Sequence, residues 1–374
     1  MPPLLRVVTG IGSLAALIAL LFVPAFAPWV VRFDHSTADW RTAYLSDRMP
    51  SHHPRLALVV INDATLRQYP SSPVDRGLLA RIVSAIDAAG ARTIGLDILF
   101  FKPTEDAKDQ ALVDAVRQAK AEIVMGALDE RGQLEAFQRE FQTAFLGRVG
   151  RTAGYLNLRY ESGDVVRYAA YPHPGSSYPK SFARLLAAAG GSDQPDDGRS
   201  IPWLLPPVDG SATFLTIPAQ DLLAGGPEVA ARLKDRIVLV GGDFPLRDRH
   251  RTPLSLLTGD GTTGLSIHAH IVAGMLEPGR AISELTVEAR SVLLVVLGAL
   301  GFLLGWLLWQ TSIVQFLGWT AATGALLAID ALLFKHLHVL LPFTLALLAW
   351  FLGVTAGRSL RATGVRLFKR RQVT

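Results

Sequence analysis

Arg55-Leu56-Ala57-Leu58-Val59-Val60-Ile61-Asn62-Asp63 and Arg92-Thr93-Ile94-Gly95-Leu96-Asp97-Ile98-Leu99-Phe100, with the stretch Gly77 to Gly90 between them, decide the fold of this 374-residue chain. The outer two are short, nearly continuous apolar runs with polar ends, which reads as strands buried on both faces. Between them Leu78, Leu79, Ile82, Val83 and Ile86 recur at helical spacing, and Gly90 closes the helix. Strand, helix, strand with short connections is a βαβ unit, which predicts a right-handed crossover onto a parallel sheet. On this reading the two strands are neighbours, about 4.8 Å apart.

Outward from that unit the pattern repeats. A helix over Asp106 to Lys120 and a strand over Glu122 to Ala127 extend it, and a looser stretch rich in Gly, Pro and Asp contains a helix at Ser181 to Ala189. Asp235-Arg236-Ile237-Val238-Leu239-Val240-Gly241-Gly242 is a further central strand, and a helix follows around Ile267 to Leu276. The predicted class is α/β, a mostly parallel sheet flanked by helices.

The ends of the chain belong to a membrane. Half the residues are apolar and only 18% are charged. Val7 to Val31 contains no charge, enough length to cross the hydrocarbon core as a first span. Ala25-Phe26-Ala27 has the form of a signal-peptide cleavage site, but Pro28 directly after it favours an uncleaved anchor. Ser291 to Trp309, Ile313 to Phe334 and Val339 to Ala356 are three more spans. The tail Arg358, Arg361, Arg366, Lys369, Arg370 and Arg371 has no acidic counterweight, so the positive-inside rule puts it in the cytoplasm. Four spans then place the intervening domain outside, in the periplasm of a bacterial inner membrane. The expected organisation is an anchor at 1–31, an extracytoplasmic domain at 32–288, three spans at 289–357 and a basic tail at 358–374. Without cysteine there is no disulfide framework and no thiolate chemistry. The net charge of +5 sits largely in the tail, which removes nucleic acid as a partner.

The soluble stretch resembles a known family. Val59-Val60-Ile61-Asn62-Asp63-Ala64-Thr65-Leu66, Pro73-Val74-Asp75-Arg76 and Ala89-Gly90-Ala91-Arg92-Thr93-Ile94-Gly95-Leu96-Asp97-Ile98-Leu99-Phe100 are similar to the front half of the CHASE type 2 extracellular sensory domain. Arg236-Ile237-Val238-Leu239-Val240-Gly241-Gly242, Asp248-Arg249-His250-Arg251-Thr252-Pro253-Leu254 and Gly264-Leu265-Ser266-Ile267-His268-Ala269-His270-Ile271 match its back half. The resemblance covers roughly residues 32 to 285. It implies an environmental sensor, which in the family is fused on the cytoplasmic side to a histidine kinase, a nucleotide cyclase, a serine/threonine kinase or a similar module. Here about 17 residues follow the last span, too few to bury a core. The signal is therefore expected to leave through the membrane helices to a separate signalling or envelope subunit. Homo-oligomerisation stays open.

Asp63 and Asp97 end two predicted parallel strands, where open α/β sheets place ligand crevices, and Asp243 follows a third. A polar pocket would gather Asp63, Asp97, Asp243 and Asp248, with Arg76 or Arg249 as counter-ion and His268 and His270 nearby. Such a cluster reads as a structural salt-bridge network, as a ligand site, or as an enzyme crevice at Asp63 and Asp97. No metal is expected, because His268-x-His270 at a helix start puts the rings on different faces. No Gly-x-Ser-x-Gly elbow, phosphate loop or dinucleotide fingerprint occurs, so no catalytic residue and no cofactor is assigned. The expectation is a non-enzymatic sensor of a small ligand or protein, with an envelope scaffold and an extracytoplasmic enzyme as the alternatives. In the spans, Asp330 is read as snorkelling to the interface near Lys335, and Gly298, Gly301 and Gly305 as a close-packing face.

Overall fold

A computed structural model of the chain describes residues 3–19, 28–69, 74–245, 247–308 and 312–371. They form two compact units: Ser46–Ile282, and a helical unit from both chain ends, Met1–Leu45 with Ser283–Thr374.

The Ser46–Ile282 unit is built on six strands, β1 (Leu56–Ile61), β2 (Thr93–Asp97), β3 (Glu122–Ala127), β4 (Thr152–Tyr155), β5 (Leu215–Pro218) and β6 (Ile237–Gly242). They pair in the order β4-β3-β2-β6-β1-β5 and every pairing is parallel. Alternate residues of β1 feed the two faces. Ala57, Val59 and Ile61 join Ile94, Leu96 and Val238 in one core, under the helices Arg76–Ala88, Asp106–Gln118 and Ala136–Val149. Leu56, Leu58 and Val60 join Leu239 in the other, under the helices Phe182–Ala189 and Gly264–Leu276. Strands buried on both faces account for the unbroken apolar runs in the sequence.

One expectation is corrected. β1 and β2 are not neighbours: β6 lies between them, pairing Ile61 with Gly242 on one side and Asp97 with Gly241 on the other. The crossover helix fixes the hand of the connection, but it spans a one-strand gap as readily as none. That gap is filled by a strand that arrives about 140 residues later.

In the helical unit, Val287–Leu307, Phe316–Leu337 and Phe343–Thr363 are long and apolar enough to cross a membrane. The last belongs to a helix, Phe343–Arg371, that continues through the basic residues read as a tail. It begins later than expected because Val339 and Leu340 pair with Ser283 and Glu284 as a short parallel bridge. Glycine sets the distance between the first and last of these helices. A Cβ on Gly305 would lie 2.1 Å from the Val354 carbonyl oxygen, and one on Gly353 would lie 2.1 Å from that of Gly298, so neither position accepts a side chain.

At the N-terminus the chain forms two helices, Pro3–Ala19 and Pro28–Leu45. The expected span from Val7 to Val31, with its Ala25-Phe26-Ala27 site, runs across residues 20–27, which lie outside the described residues. Residues 32–45, read from the sequence as part of the extracytoplasmic domain, continue the second of these helices within the helical unit. Arg41 on that helix is buried and ion-paired with Asp330, and it donates a further hydrogen bond to the Leu341 carbonyl at 3.3 Å. Asp330 therefore has a partner within the helical unit where the sequence suggested interfacial snorkelling.

Candidate ligand site of the sheet domain

The parallel sheet ends in a cavity of about 1080 Å³. Its walls come from the segments that leave β1, β2, β3, β4 and β6 at their C-terminal ends, together with the start of the Gly264–Leu276 helix. Connections that leave neighbouring strands for opposite faces open a crevice at that edge, which is where open α/β sheets bind ligands.

Asp97 closes β2 and lines this cavity. Gly241, paired with it on β6, has no Cβ; one would come within 3.3 Å of the Asp97 Cβ and 2.9 Å of the Leu265 side chain. The missing side chain lets the helix and the carboxylate approach the strand. Burial pushes the Asp97 carboxyl up to about 8, helped by the negative charge of Asp248. Among the described residues no hydrogen bond reaches this carboxylate.

His268 lines the same cavity from the helix and is only 4% exposed. Burial lowers it to about 4, against the opposing pull of Asp248, so the ring is neutral at physiological pH. It donates to the Leu156 backbone, and its Nδ1 has no partner among the described residues. In a neutral imidazole with one nitrogen donating, the other is an acceptor.

Asp248 reaches the cavity from the loop after β6, in a left-handed conformation with φ of 53° that Asp tolerates better than most side chains. Its carboxylate lies over the first residue of the Gly264–Leu276 helix, where a Cβ on Gly264 would sit 3.0 Å from Oδ2. A helix N-terminus favours negative charge there. Asp248 Oδ1 accepts from His250 Nε2 at 2.8 Å, and His250 Nδ1 meets the Tyr160 hydroxyl at 2.8 Å. The three form one hydrogen-bonded chain along the cavity wall.

Two arginines of the wall are already neutralised. Arg131 grips the buried Asp129 with Nε at 2.8 and 3.1 Å and donates to the Tyr171 carbonyl at 2.8 Å. Arg159 pairs with Glu161 at 2.6 Å and lies over the Tyr168 and Tyr171 rings, at 4.8 and 4.9 Å.

Of the eight residues singled out from the sequence, the structure brings Asp97, Asp248 and His268 together. Asp63 is exposed in the first turn of the short helix Asp63–Gln68 and does not line the cavity, so the two-carboxylate crevice of Asp63 and Asp97 is not formed. The inserted β6 separates them. Arg76 is fully buried in the helical layer, 3.5 Å from Asp109 and 4.5 Å from the Phe100 ring centre. It ties the Arg76–Ala88 helix to the Asp106–Gln118 helix. Asp243 and Arg249 pair with each other at 2.6 Å, in the loop after β6. His270 accepts from the Leu204 amide at 3.2 Å between Trp203 and Phe214, and burial lowers it to about 3. It belongs to the core.

Arg131, Asn157, Arg159, Tyr160 and His250 were not singled out. Arg131 and Asn157 lie in loops, and Arg159 and Tyr160 in a strand of three residues, too short for a periodicity to mark a facing direction. His250 stood inside the Asp248-Arg249-His250-Arg251 run, and its spacing of two from Asp248 was the available signal.

Comparison with known families finds one match, to the CHASE2 domain, over residues 14–310. Neither a curated protein nor a solved structure matches the chain. The match takes in the whole sheet, its cavity and the first of the three apolar helices after it, and on that extent the chain belongs to the CHASE2 domain family of extracellular sensory domains, here in a membrane protein.

Proposed function

We propose that the chain is an inner-membrane sensor that binds a small ligand outside the cytoplasm, in the cavity at the ends of β1, β2, β3, β4 and β6. The observation that supports this most is His268 Nδ1, buried in its wall without a partner among the described residues, with the Asp97 carboxyl group lining the same cavity. Buried polar groups of a finished structural network are paired. These two face a cavity large enough for a small molecule.

The route outward starts on the same helix. His268 lies on Gly264–Leu276, and the chain leaves the sheet unit at Ile282, just before the apolar helix Val287–Leu307. A ligand that favours one position of that helix biases the segment leading into the membrane, and the helices pass the bias to a separate signalling or envelope subunit. The basic end of the last helix faces the cytoplasm on this reading.

The test uses the full chain in lipid nanodiscs, heated with and without a protein-free extract of small molecules from the host cell. The extract should raise the melting temperature of the wild type more than that of Leu158→Trp, which narrows the cavity by adding a ring to its wall. An equal rise in both, or none in either, would remove the cavity as the sensory site.

A further inference from the structure

Resting on the cavity as the ligand site, we propose that it takes a small organic amine, whose ammonium group sits among Asp97, Asp248 and His268 Nδ1. The charges in the wall point that way. Asp97, Asp248, His250 and His268 share the cavity with Arg131, Arg159 and Arg247. Arg131 is held by Asp129 and Arg159 by Glu161, and each pair is neutral. What is left among the described lining residues is two carboxylates, against the exposed guanidinium of Arg247.

Both unpartnered groups want a donor. Once ionised, the Asp97 carboxylate can only accept, and the neutral His268 presents a lone pair at Nδ1. An ammonium has three donors and a positive charge, so it satisfies both acceptors and offsets the repulsion that otherwise keeps Asp97 protonated beside Asp248. Anionic ligands meet the opposite: the like charge of Asp248 and, wherever Asp97 ionises, a second one in a desolvated setting. Neutral polyols supply donors but leave the charge of Asp248 uncompensated and Asp97 protonated. Tyr160, Tyr171 and Phe244 complete the lining with aromatic surface, which also attracts cations. A metal ion suits the site less well, since no three potential ligands converge among the described residues.

Without a ligand, Asp97 holds its proton at neutral pH, because burial sets its carboxyl at about 8. An ammonium must displace that proton. Affinity should therefore rise roughly tenfold per pH unit between pH 6.5 and 8 and then level off.

A four-carbon series separates the charges while holding size constant: putrescine, 4-aminobutyrate, butane-1,4-diol and succinate, each added to the full chain in nanodiscs and read by melting temperature. Putrescine or 4-aminobutyrate should stabilise the wild type, more strongly at pH 8 than at pH 6.5. The diol and succinate should not. Asp97→Asn should retain the melting temperature of the unliganded protein or exceed it, Asp248→Asn should lower it slightly by removing a charge at the helix N-terminus, and both should lose the response to amines. Stabilisation by succinate or the diol alone, no response to either amine, or an undiminished amine response in both variants would each overturn the inference. The cell-extract experiment is independent of it: extract that stabilises the wild type more than Leu158→Trp, with amines inert, would leave the cavity standing and remove only the amine.

Discussion

Arg41 and Asp330, 289 residues apart in the sequence, form a buried ion pair inside the helical unit, their side chains 4% and 7% exposed. One lies on the helix that precedes the sheet domain and the other on an apolar helix that follows it, so the pair staples the two ends of the chain. Removing one partner strands the other charge. Arg41→Met and Asp330→Leu should each destabilise the helical unit by about 3–5 kcal/mol, whereas the double variant should recover most of the loss. Thermal unfolding of the four proteins in nanodiscs checks this, and equal losses in single and double variants would refute the pairing.

The glycine contact between the first and last apolar helices predicts a steep size dependence. Gly305→Ala and Gly353→Ala each place a Cβ 2.1 Å from a carbonyl oxygen of the facing helix, so the helices must separate. Each should cost on the order of 1–3 kcal/mol. Gly324, where an added methyl would meet nothing within 4 Å, is the matched control, and Gly324→Ala should be silent. Protease sensitivity in nanodiscs ranks the three.

Leu96 is fully buried in the core that also holds Ile61, Ile94 and Val238. Leu96→Asp puts an unpaired charge there, at a cost of several kcal/mol against a domain stability of about 5–15 kcal/mol. The Ser46–Ile282 unit should become protease-sensitive throughout. Wild-type resistance would mean that β2 is misplaced.

Opposed titrations should give the sheet unit a stability optimum near pH 6.5. Burial lowers His53 to about 4, His268 to about 4 and His270 to about 3, so below pH 6.5 the unfolded chain binds protons that the folded one does not, and stability falls as pH drops. Asp97 runs the other way. Its folded value is raised to about 8 from 3.8, so above pH 4 the folded state holds a proton that the unfolded chain has lost, and this contribution declines until pH 8. Between pH 6.5 and 8 Asp97 is the group among these four that differs between the states, with a slope of up to about 1.4 kcal/mol per pH unit. Asp97→Asn should flatten that alkaline limb and steepen the acid limb between about pH 4 and 6.5, where Asp97 opposes the histidines. Denaturation profiles at several pH values check it, and an unchanged alkaline limb would place Asp97 in a solvated setting.

The sequence made the strands legible because β1, β2, β3 and β6 are buried on both faces and read as unbroken apolar runs. Their order was not legible. No residue of β1 or β2 marks that Gly241 and Gly242 will come between them, since lateral pairing through backbone groups is indifferent to local pattern. In the site, Asp97, Asp248 and His268 were found because they sit at strand and helix ends, where position follows from the element. Arg131 and Arg159 were not, because their directions depend on loops fixed by distant partners such as Tyr171. Arg41 escaped for the same reason, with its carboxylate 289 residues away.

The absence of cysteine from the natural chain allows one measurement to address both the location of the domain and the occupancy of its cavity. Tyr171→Cys puts a thiol on the half-exposed cavity lip, and Gln372→Cys puts one near the C-terminus. Each variant is treated, in spheroplasts with sealed membranes, with a membrane-impermeant maleimide. The account predicts that Tyr171→Cys is labelled from outside and protected by the small-molecule extract, while Gln372→Cys is labelled only after the membrane is opened. Labelling of Gln372→Cys in sealed spheroplasts with Tyr171→Cys silent, or labelling of Tyr171→Cys that the extract leaves unchanged, would contradict it.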